Sequence, residues 1–294
     1  MIRLLARLRL ATALFWLTAT GTNVAAPVEI APNPDALAQS MQGRRIVLLG
    51  EVHDNAALHA LRVAALRQWI AQGARPAMAF EQFDRKQQAA IDGARRERPK
   101  DADYLIAQAK GQNGWHWEWY RPYVALALEY DLPIVAANLA RDDAMHVATQ
   151  GWPALFDATT RRDLQLDALP ADYRRRQEDA IAIGHCNLLP ADALPARARA
   201  QIARDIVMAQ SLRPYAKNGV VLLAGNGHVE RDIGVPFWLT QNERQAAISI
   251  GLLERDDDGS TPEAARDFDA YAVVARVERA DPCEELTRRL APAR

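Results

Sequence analysis

The stretch RRIVLLGEVHD, from Arg44 to Asp54, is a short apolar run followed by Gly-x-x-His. The stretch GVVLLAGNGHV, from Gly219 to Val229, repeats this pattern near the other end of the chain. Continuous apolar runs of this length are typical of strands that are covered on both faces of a sheet. In open α/β sheets, ligands bind beyond the carboxyl ends of the strands. The repeated turn therefore predicts a site where two strands end.

The rest of the chain alternates between apolar runs and amphipathic stretches. Strands are predicted at residues 46–49, 77–80, 134–137, 220–223, 247–251 and 271–277. Helices are predicted at residues 56–72, 119–130 and 141–150, where apolar side chains recur at helical spacing. This alternation predicts an α/β fold, in which a mostly parallel central sheet is flanked by helices.

One region interrupts the alternation. Residues 155–216 contain no convincing strand, are rich in Arg, Ala and Asp, and carry four helix-breaking prolines. We interpret this region as a smaller all-helical cap or insertion beside the sheet. Residues 84–110 are also predicted to be helical and are a candidate addition to it. The expected organisation is one α/β domain at 27–294 that contains this helical subdomain.

Charge and composition exclude one class of partner. The 294 residues are 49% hydrophobic and carry a formal net charge of −1, with no block of like charges. Because binding to nucleic acid is driven largely by a basic surface, we expect no nucleic-acid partner.

The first residues follow the order of a secretory signal. MIRLLARLRL carries three arginines and no acid, a short apolar stretch follows, and Ala25 and Ala26 are small. The apolar stretch is shorter than the roughly 20 residues that a membrane span needs. We predict a signal peptide at residues 1–26 and a periplasmic or secreted protein, the alternative being an uncleaved anchor. No cysteine near this segment offers an acceptor for an N-terminal lipid.

Two cysteines, Cys186 and Cys283, are present. An even cysteine count in an exported protein permits one disulfide. The alternative is two buried thiols that pack as small apolar side chains.

Four side chains are expected to meet at the carboxyl ends of the strands. His53 and His228 end the two Gly-x-x-His turns, Glu51 lies within the first of them, and Glu81 follows a third predicted strand. Two imidazoles and two carboxylates suit a divalent metal ion, and they equally suit general acid–base catalysis by Glu51 or Glu81. The alternative is that each histidine only hydrogen-bonds loop backbone.

Further candidate ligand-binding residues follow the strands or lie in the helical region. Asn138 and Arg141 follow the strand at 134–137, and Asn226 lies inside the second Gly-x-x-His turn. In the helical region, Arg204 is a candidate clamp for a carboxylate. The remaining candidates there are potential iron ligands, namely Tyr173 and His185. A structural role in supporting the cap is the alternative for these helical residues.

An aromatic segment lies between the second and third predicted strands. Trp115, Trp117 and Trp119 alternate in GWHWEWYRP, with Tyr120 and Tyr123 close behind. One interpretation is an aromatic wall for a flat ligand. Packing of this segment against the sheet is the interpretation that we favour.

Seven motifs of the chain occur together in one order between Arg44 and Arg279. They are LLGEVHDN, AFEQFDR, GWHWEWYRP, PIVAANLAR, HCNLLP, ARDIVMAQSL and GNGHVERDIGVPFWL. This set resembles the ChaN family of haem-binding uptake proteins, which belongs to a broader group with the Tiki and TraB proteins and, more distantly, the erythromycin esterases.

The resemblance implies a parallel α/β sheet with a smaller helical domain, and a periplasmic or outer-membrane-associated protein that binds haem. A homodimer around stacked haems and an outer-membrane receptor are the partners it implies. In the Tiki branch, two Gly-x-x-His motifs and a Glu bind a metal for peptide cleavage, and they correspond here to residues 50–53, 225–228 and Glu81. ChaN-type proteins are often lipoproteins, and this chain departs from that pattern because it has no lipid-acceptor cysteine.

Two functions follow, and a third remains open. The first is a periplasmic haem-binding protein for haem or iron uptake, with Tyr173 or His185 as the iron ligand. The second is a metal-dependent hydrolase of the peptidase or esterase type, in which His53, His228 and the carboxylates bind a metal that activates water. The third is a scaffold in which these side chains have only a structural role.

Overall fold

A computed structural model describes residues 26–109 and 114–290. The predicted signal peptide lies outside the described residues except for Ala26.

Seven parallel strands form one sheet in this part of the chain, in the order β1-β7-β6-β2-β5-β3-β4. The strands are β1 (Val28–Glu29), β2 (Ile46–Leu49), β3 (Ala77–Asp84), β4 (Ile134–Asn138), β5 (Val220–Leu223), β6 (Ala247–Glu254) and β7 (Ala270–Val274). The predicted α/β fold with a mostly parallel sheet is confirmed. The strand predicted at residues 271–277 ends three residues earlier, at Val274.

The described α-helices connect these strands. They are α1 (Pro34–Met41), α2 (Ala56–Ala71), α3 (Gln88–Glu97), α4 (Ala102–Ala109), α5 (Trp117–Glu129), α6 (Arg141–Gln150), α7 (Ala158–Asp163), α8 (Ala171–Gly184), α9 (Leu194–Leu212), α10 (Asn226–Val229), α11 (Gln241–Gln245) and α12 (Pro282–Leu290). The side chain of Asn55 caps the start of α2 by accepting from the N–H of Leu58 over 3.0 Å.

The two Gly-x-x-His turns follow neighbouring strands. β2 and β5 pair in register over their whole length, from Ile46 with Val220 to Leu49 with Leu223. β6 flanks β2 and β3 flanks β5. Because parallel neighbours in register end at the same level, the turns after β2 and β5 emerge side by side.

Alternate residues of the strands pack into two separate cores. On β2, Val47 and Leu49 contact the core that includes α1, α2, α4 and α5, whereas Ile46 and Leu48 contact the core that includes α6 and α9. All four β2 side chains are buried, which explains the unbroken apolar run in the sequence.

Residues 155–216 contain no strand within the described structure and form α7, α8 and α9. α9 packs against α6, α8 and β4. The helices of residues 84–110, α3 and α4, bury Ile91 and Leu105 in the core on the opposite face of the sheet. This segment therefore does not join the helices of residues 155–216.

Candidate functional site

The ends of β2 and β5 and the middle of β3 bring three of the predicted side chains together. The N–H of Gly225 donates to Oε2 of Glu81 over 2.7 Å. A Cβ atom at Gly225 would lie 2.8 Å from both Cε1 and Nε2 of His53, so a larger residue here would displace the imidazole. Oε1 of Glu81 lies 3.4 Å from Nε2 of His228. His53, Glu81 and His228 thus lie close together at the strand ends.

We call five side chains the rim site. They are these three and the two carboxylates that contact the histidines, Glu51 and Asp205.

Glu51 does not face the centre of the rim site, because both of its oxygens are bonded elsewhere. Oε1 accepts from the hydroxyl of Tyr120 over 2.6 Å and from Nδ1 of His53 over 2.7 Å. Oε2 forms an ion pair with Arg62, whose guanidinium also donates to the carbonyl of Leu49 over 3.0 Å. The side chains of Glu51 and Arg62 are fully buried. Glu51 therefore orients His53 and balances a buried cation.

The metal site predicted from the sequence is consequently not found. Its four expected ligands were His53, His228, Glu51 and Glu81. Glu51 pairs with Arg62 and is therefore not available as a metal ligand. Within residues 26–109 and 114–290, no group of three or more His, Cys, Asp or Glu side chains is placed to hold a metal ion. The ion pair with Arg62 also makes Glu51 unsuitable as a catalytic base.

His53 is the accessible member of the rim site. Its side chain is 47% exposed, whereas that of Glu51 beneath it is fully buried. Nδ1 faces the carboxylate of Glu51, which leaves Nε2 as the ring nitrogen that can face a ligand. The indole of Trp115 stands edge-on to the imidazole, with 4.9 Å between the ring centroids. An oriented, half-exposed imidazole beside an aromatic ring can act as a base or as a ligand to a metal centre.

Glu81 lies inside its strand and not after it. β3 pairs with β5 only as far as Phe80 with Leu223, and its register against β4 then shifts between Phe80 and Asp84. Glu81 is the first residue of β3 that has no pairing residue in β5. Its side chain therefore has room to turn toward Gly225. Burial alone would raise the pKa of Glu81, but the charge and hydrogen bond of His228, the charge of His53 and the hydrogen bond from Gly225 together lower this pKa to about 2.

His228 lies between two buried carboxylates. Its Nδ1 is 2.6 Å from Oδ1 of Asp205, a residue of α9, and its Nε2 faces Glu81. Burial alone would lower the pKa of His228, but the charges of Glu81 and Asp205 raise it to about 10. Burial raises the pKa of Asp205 to about 6, against the opposing effect of His228. These shifts favour the carboxylate form of Glu81 and the imidazolium form of His228, whereas burial opposes ionisation of Asp205.

Sequence reasoning missed the role of Asp205. The sequence does contain a sign of this role, because Asp205 is an acidic residue on the apolar face of α9. Ile202, Ile206 and Ala209 on the same face are all buried. Asp205 is 1% exposed, and a buried acid requires a partner. The pattern indicates that a partner exists, and only the fold shows that it is His228.

Asn138 and Arg204 support the rim site from the β4 side. The amide of Asn138 donates to the main-chain carbonyl of Glu81 over 2.8 Å. Nη1 of Arg204 donates to Oδ1 of Asn138 over 2.9 Å and to the carbonyl of Leu139 over 2.8 Å. Arg141 begins α6 next to them and is exposed. Asn138 thus positions the β3 backbone, while the two arginines place positive charge at this side of the site.

Asn226 does not face a ligand, contrary to the sequence prediction. Its amide donates to the carbonyl of Leu252 over 2.7 Å and its side-chain oxygen accepts from the N–H of Leu252 over 3.1 Å. A Cβ atom at Gly50 would collide with this side chain. Asn226 therefore holds the turn after β5 against β6.

Tyr173 is excluded as an iron ligand by its packing. Its ring stacks on Phe237 with 4.1 Å between the centroids, and its hydroxyl donates to the carbonyl of Ile233 over 3.2 Å. The residue is 3% exposed. Burial raises the pKa of Tyr173, which opposes the phenolate form that binds iron.

His185 ends α8 at the edge of the helical region. Its Nδ1 lies 2.8 Å from the carbonyl of Ile181, which leaves Nε2 as the ring nitrogen without a partner in the described part of the chain. The neighbouring residue, Cys186, forms a disulfide with Cys283, with 5.5 Å between the Cα atoms. His185 remains a candidate ligand.

The C-terminal segment connects this helix end to the rim site. Nε of Arg279 pairs with Asp54, the neighbour of His53, over 2.9 Å. Cys283 is four positions after Arg279, so their Cα atoms are at most about 14 Å apart. The disulfide to Cys186 therefore holds the end of α8 close to the turn after β2.

The aromatic segment packs against the sheet, and part of it lies beside His53. Tyr120 and Tyr123 are buried, and Trp117 packs on Phe83 with 5.0 Å between the centroids. Trp115 and Trp119 remain partly exposed. The packing interpretation accounts for the tyrosines and Trp117, while Trp115 also forms part of the surface next to His53.

Residues 37–239 match the model of a protein family described as haem-binding uptake, Tiki superfamily, ChaN. The chain belongs to this family. A comparison with curated protein sequences returned no match.

The fold was compared with those of solved structures, and the first one named here shares it. A structure described as cofacial heme binding to ChaN of Campylobacter jejuni is 20% identical, with a TM-score of 0.63 over 80% of this chain and 89% of that chain. A mutant erythromycin esterase in its open conformation is 14% identical, with a TM-score of 0.42 over 80% of this chain and 77% of that chain. Within residues 26–109 and 114–290, no helix combines the length and apolar character that crossing a membrane requires.

Proposed function

We propose that this protein is a periplasmic haem-binding protein that takes part in haem or iron uptake. The family match over residues 37–239 carries the proposal. The fold is similar to that of ChaN from Campylobacter jejuni, whose structure is described as binding haem cofacially. That description also motivates the proposal of a homodimer.

The side chains around His53 fit a haem. A ligating imidazole is strengthened when its other nitrogen donates to a carboxylate, and the bond from Nδ1 of His53 to Glu51 supplies this arrangement. Trp115 offers an aromatic surface beside the ring. The partly buried Arg204 and the exposed Arg141 would attract the haem propionates. When bound, haem would supply the iron that the protein transports or stores.

Titration of the purified protein with haemin tests the proposal. The wild type is expected to shift the Soret band at micromolar concentration, and His53→Ala is expected to weaken binding and change the band position. His146→Ala, which removes an exposed histidine of α6, is the matched control and should behave like the wild type. If only His185→Ala changes the band, haem binding stands and His185 is the ligand. A wild type that leaves the Soret band unchanged contradicts haem binding.

The location and the partners are proposed on separate grounds. The signal-like N-terminal sequence and the disulfide between Cys186 and Cys283 both favour an oxidising compartment outside the cytoplasm. Fractionation of the native host with an antibody would place the protein, and recovery from the cytoplasm would contradict this proposal. An outer-membrane receptor remains an expectation from the family resemblance.

A second candidate function is hydrolysis of an ester or peptide at the rim site. It is favoured by one observation: two histidines, each held by a buried carboxylate, flank Glu81. His53 would take a proton from water, while the imidazolium of His228 would stabilise developing negative charge. Turnover of p-nitrophenyl acetate by the wild type and its loss in both His53→Ala and Glu81→Gln is the expected result. Equal rates in all three proteins would contradict this function.

A further inference from the structure

A cavity lies away from the strand ends, between the C-terminal end of α6, the 3₁₀ turns around Trp152 and Leu166, and helices α7, α8 and α9. Its volume is about 880 Å³, within the range of small-molecule sites. The lining residues include none from the rim site. We call it the arginine cavity, because Arg161, Arg174, Arg175 and Arg199 line it.

The floor of the arginine cavity is apolar. Leu166, Leu169 and Ile202 are buried parts of the core on this face of the sheet. The half-buried indole of Trp152 and the ring of Pro153 continue the apolar surface. A ligand that covers this floor would bury its own apolar part there.

The wall of the cavity is cationic, and two of its cations have no partner. Arg161 pairs with Asp167 over 3.2 Å, and Arg199 donates to the carbonyl of Ala148 over 2.9 Å. In contrast, Arg174 and Arg175 on α8 form no ion pair or side-chain hydrogen bond within the described residues. With Asp167 and Glu178 as the only acids of the lining, the four arginines leave an excess of positive charge.

The lining also excludes one class of ligand. It contains no His, Cys, Met or Tyr side chain, so a haem iron would find no protein ligand there. The cavity therefore suits a molecule with an apolar body and an anionic head that needs no metal coordination.

We propose that the arginine cavity binds an amphipathic carboxylate of the fatty-acid class, with its chain on Leu166, Leu169 and Ile202 and its carboxylate at the cationic wall to which Arg174 and Arg175 belong. Planar guanidinium groups pair with carboxylates through two parallel hydrogen bonds. This site is distinct from the proposed haem site and does not depend on it.

Calorimetric titration with dodecanoate tests the proposal. The wild type is expected to bind one equivalent, and the double variant Arg174→Ala/Arg175→Ala is expected to bind roughly 10- to 100-fold more weakly, because it loses charge-assisted hydrogen bonds. The control Arg96→Ala/Arg197→Ala removes two exposed arginines outside the cavity and should bind like the wild type. Dodecanol has the same chain without the charge and should bind the wild type more weakly than dodecanoate.

A charge reversal sharpens the test. Arg174→Glu/Arg175→Glu is expected to lose dodecanoate and to gain affinity for dodecyltrimethylammonium, a result that general destabilisation would not produce. His53→Ala is expected to leave dodecanoate binding unchanged while it weakens haemin binding, so the two sites can fail independently. The proposal is overturned if the wild type binds no dodecanoate, or if both double alanine variants bind it equally well.

Discussion

The rim site and the arginine cavity place their charges in opposite ways. In the rim site, Glu51, Glu81, Asp205 and His228 are buried and each faces an opposite charge. In the arginine cavity, Arg174 and Arg175 are exposed and unpaired over an apolar floor. Buried charges must be paired because desolvation is costly, so a paired cluster is organised before any ligand arrives. Unpaired surface cations cost little, and they leave room for an anion to supply the partner.

The largest effect is expected from breaking the buried pair between Glu51 and Arg62. Glu51→Ala leaves a fully buried guanidinium uncompensated, which should lower the free energy of unfolding by about 3–5 kcal/mol. The control is Glu129→Ala. Glu129 pairs with Arg67, which lies on α2 as Arg62 does, and both side chains of this pair are 48% exposed. That change should cost about 1 kcal/mol or less.

Urea denaturation measures both variants. If Glu51→Ala fails to fold, Glu51→Gln keeps the shape and still removes the charge. A Glu51 variant as stable as Glu129→Ala would show that the rim site does not depend on its buried ion pair.

The next effect concerns the link between the helical region and the rim site. Cys186 and Cys283 are 97 residues apart in the sequence, and bridges of this kind contribute about 2–4 kcal/mol. Cys283→Ser should lower the unfolding midpoint, and dithiothreitol should lower the midpoint of the wild type but not of the variant. Equal midpoints of the wild type with and without dithiothreitol would contradict a stabilising bridge.

A smaller effect should appear on raising the pH. The pKa of His228 is raised from 6.5 to about 10 in the folded protein. Its contribution to stability is therefore complete below about pH 6.5 and is lost as the pH rises through 10. We expect a loss of at least about 1.4 kcal/mol between pH 7 and 10, the equivalent of one pKa unit.

The variant His228→Gln separates this loss from the titration of other groups. Its denaturation curves should depend less on pH over the same range. A wild type and variant with parallel pH profiles would show that His228 is not held as an imidazolium.

The smallest effect is expected in the arginine cavity. Because Arg174 and Arg175 are exposed and have no partner to lose in the described part of the chain, Arg174→Ala/Arg175→Ala should change the free energy of unfolding by about 0.5 kcal/mol or less. The same denaturation experiment measures it. A large loss of stability would show that these arginines have a structural role and would remove the contrast between the two regions.

Much of the sheet was predictable because its strands are buried on both faces. The apolar runs at β2 and β5 begin and end where they were predicted. β3 was predicted to end at Phe80 but continues to Asp84, since it keeps a partner in β4 after β5 has ended. A local pattern shows that a strand is covered, but it does not show how far its neighbours extend.

The roles within the rim site were less predictable. The two Gly-x-x-His turns indicated correctly that His53 and His228 leave neighbouring strands, and Glu81 does join them. Nothing local to Glu51 shows that Arg62, on the next helix, neutralises it. A free carboxylate and an ion-paired one look alike in a sequence, because the difference depends on distance in space.

Hydrophobic periodicity and the repeated turns by themselves determined the α/β class, the covered strands and the end of the sheet at which the histidines lie. Only the tertiary structure decided which charges meet: Asp205 with His228, Arg62 with Glu51, and, among residues 26–109 and 114–290, no acid with Arg174 or Arg175. The physical reason is the separation along the sequence. A burial pattern can be recognised from residues that are close in the sequence, whereas electrostatic pairing depends on side chains that folding brings within a few ångströms from distant parts of the chain.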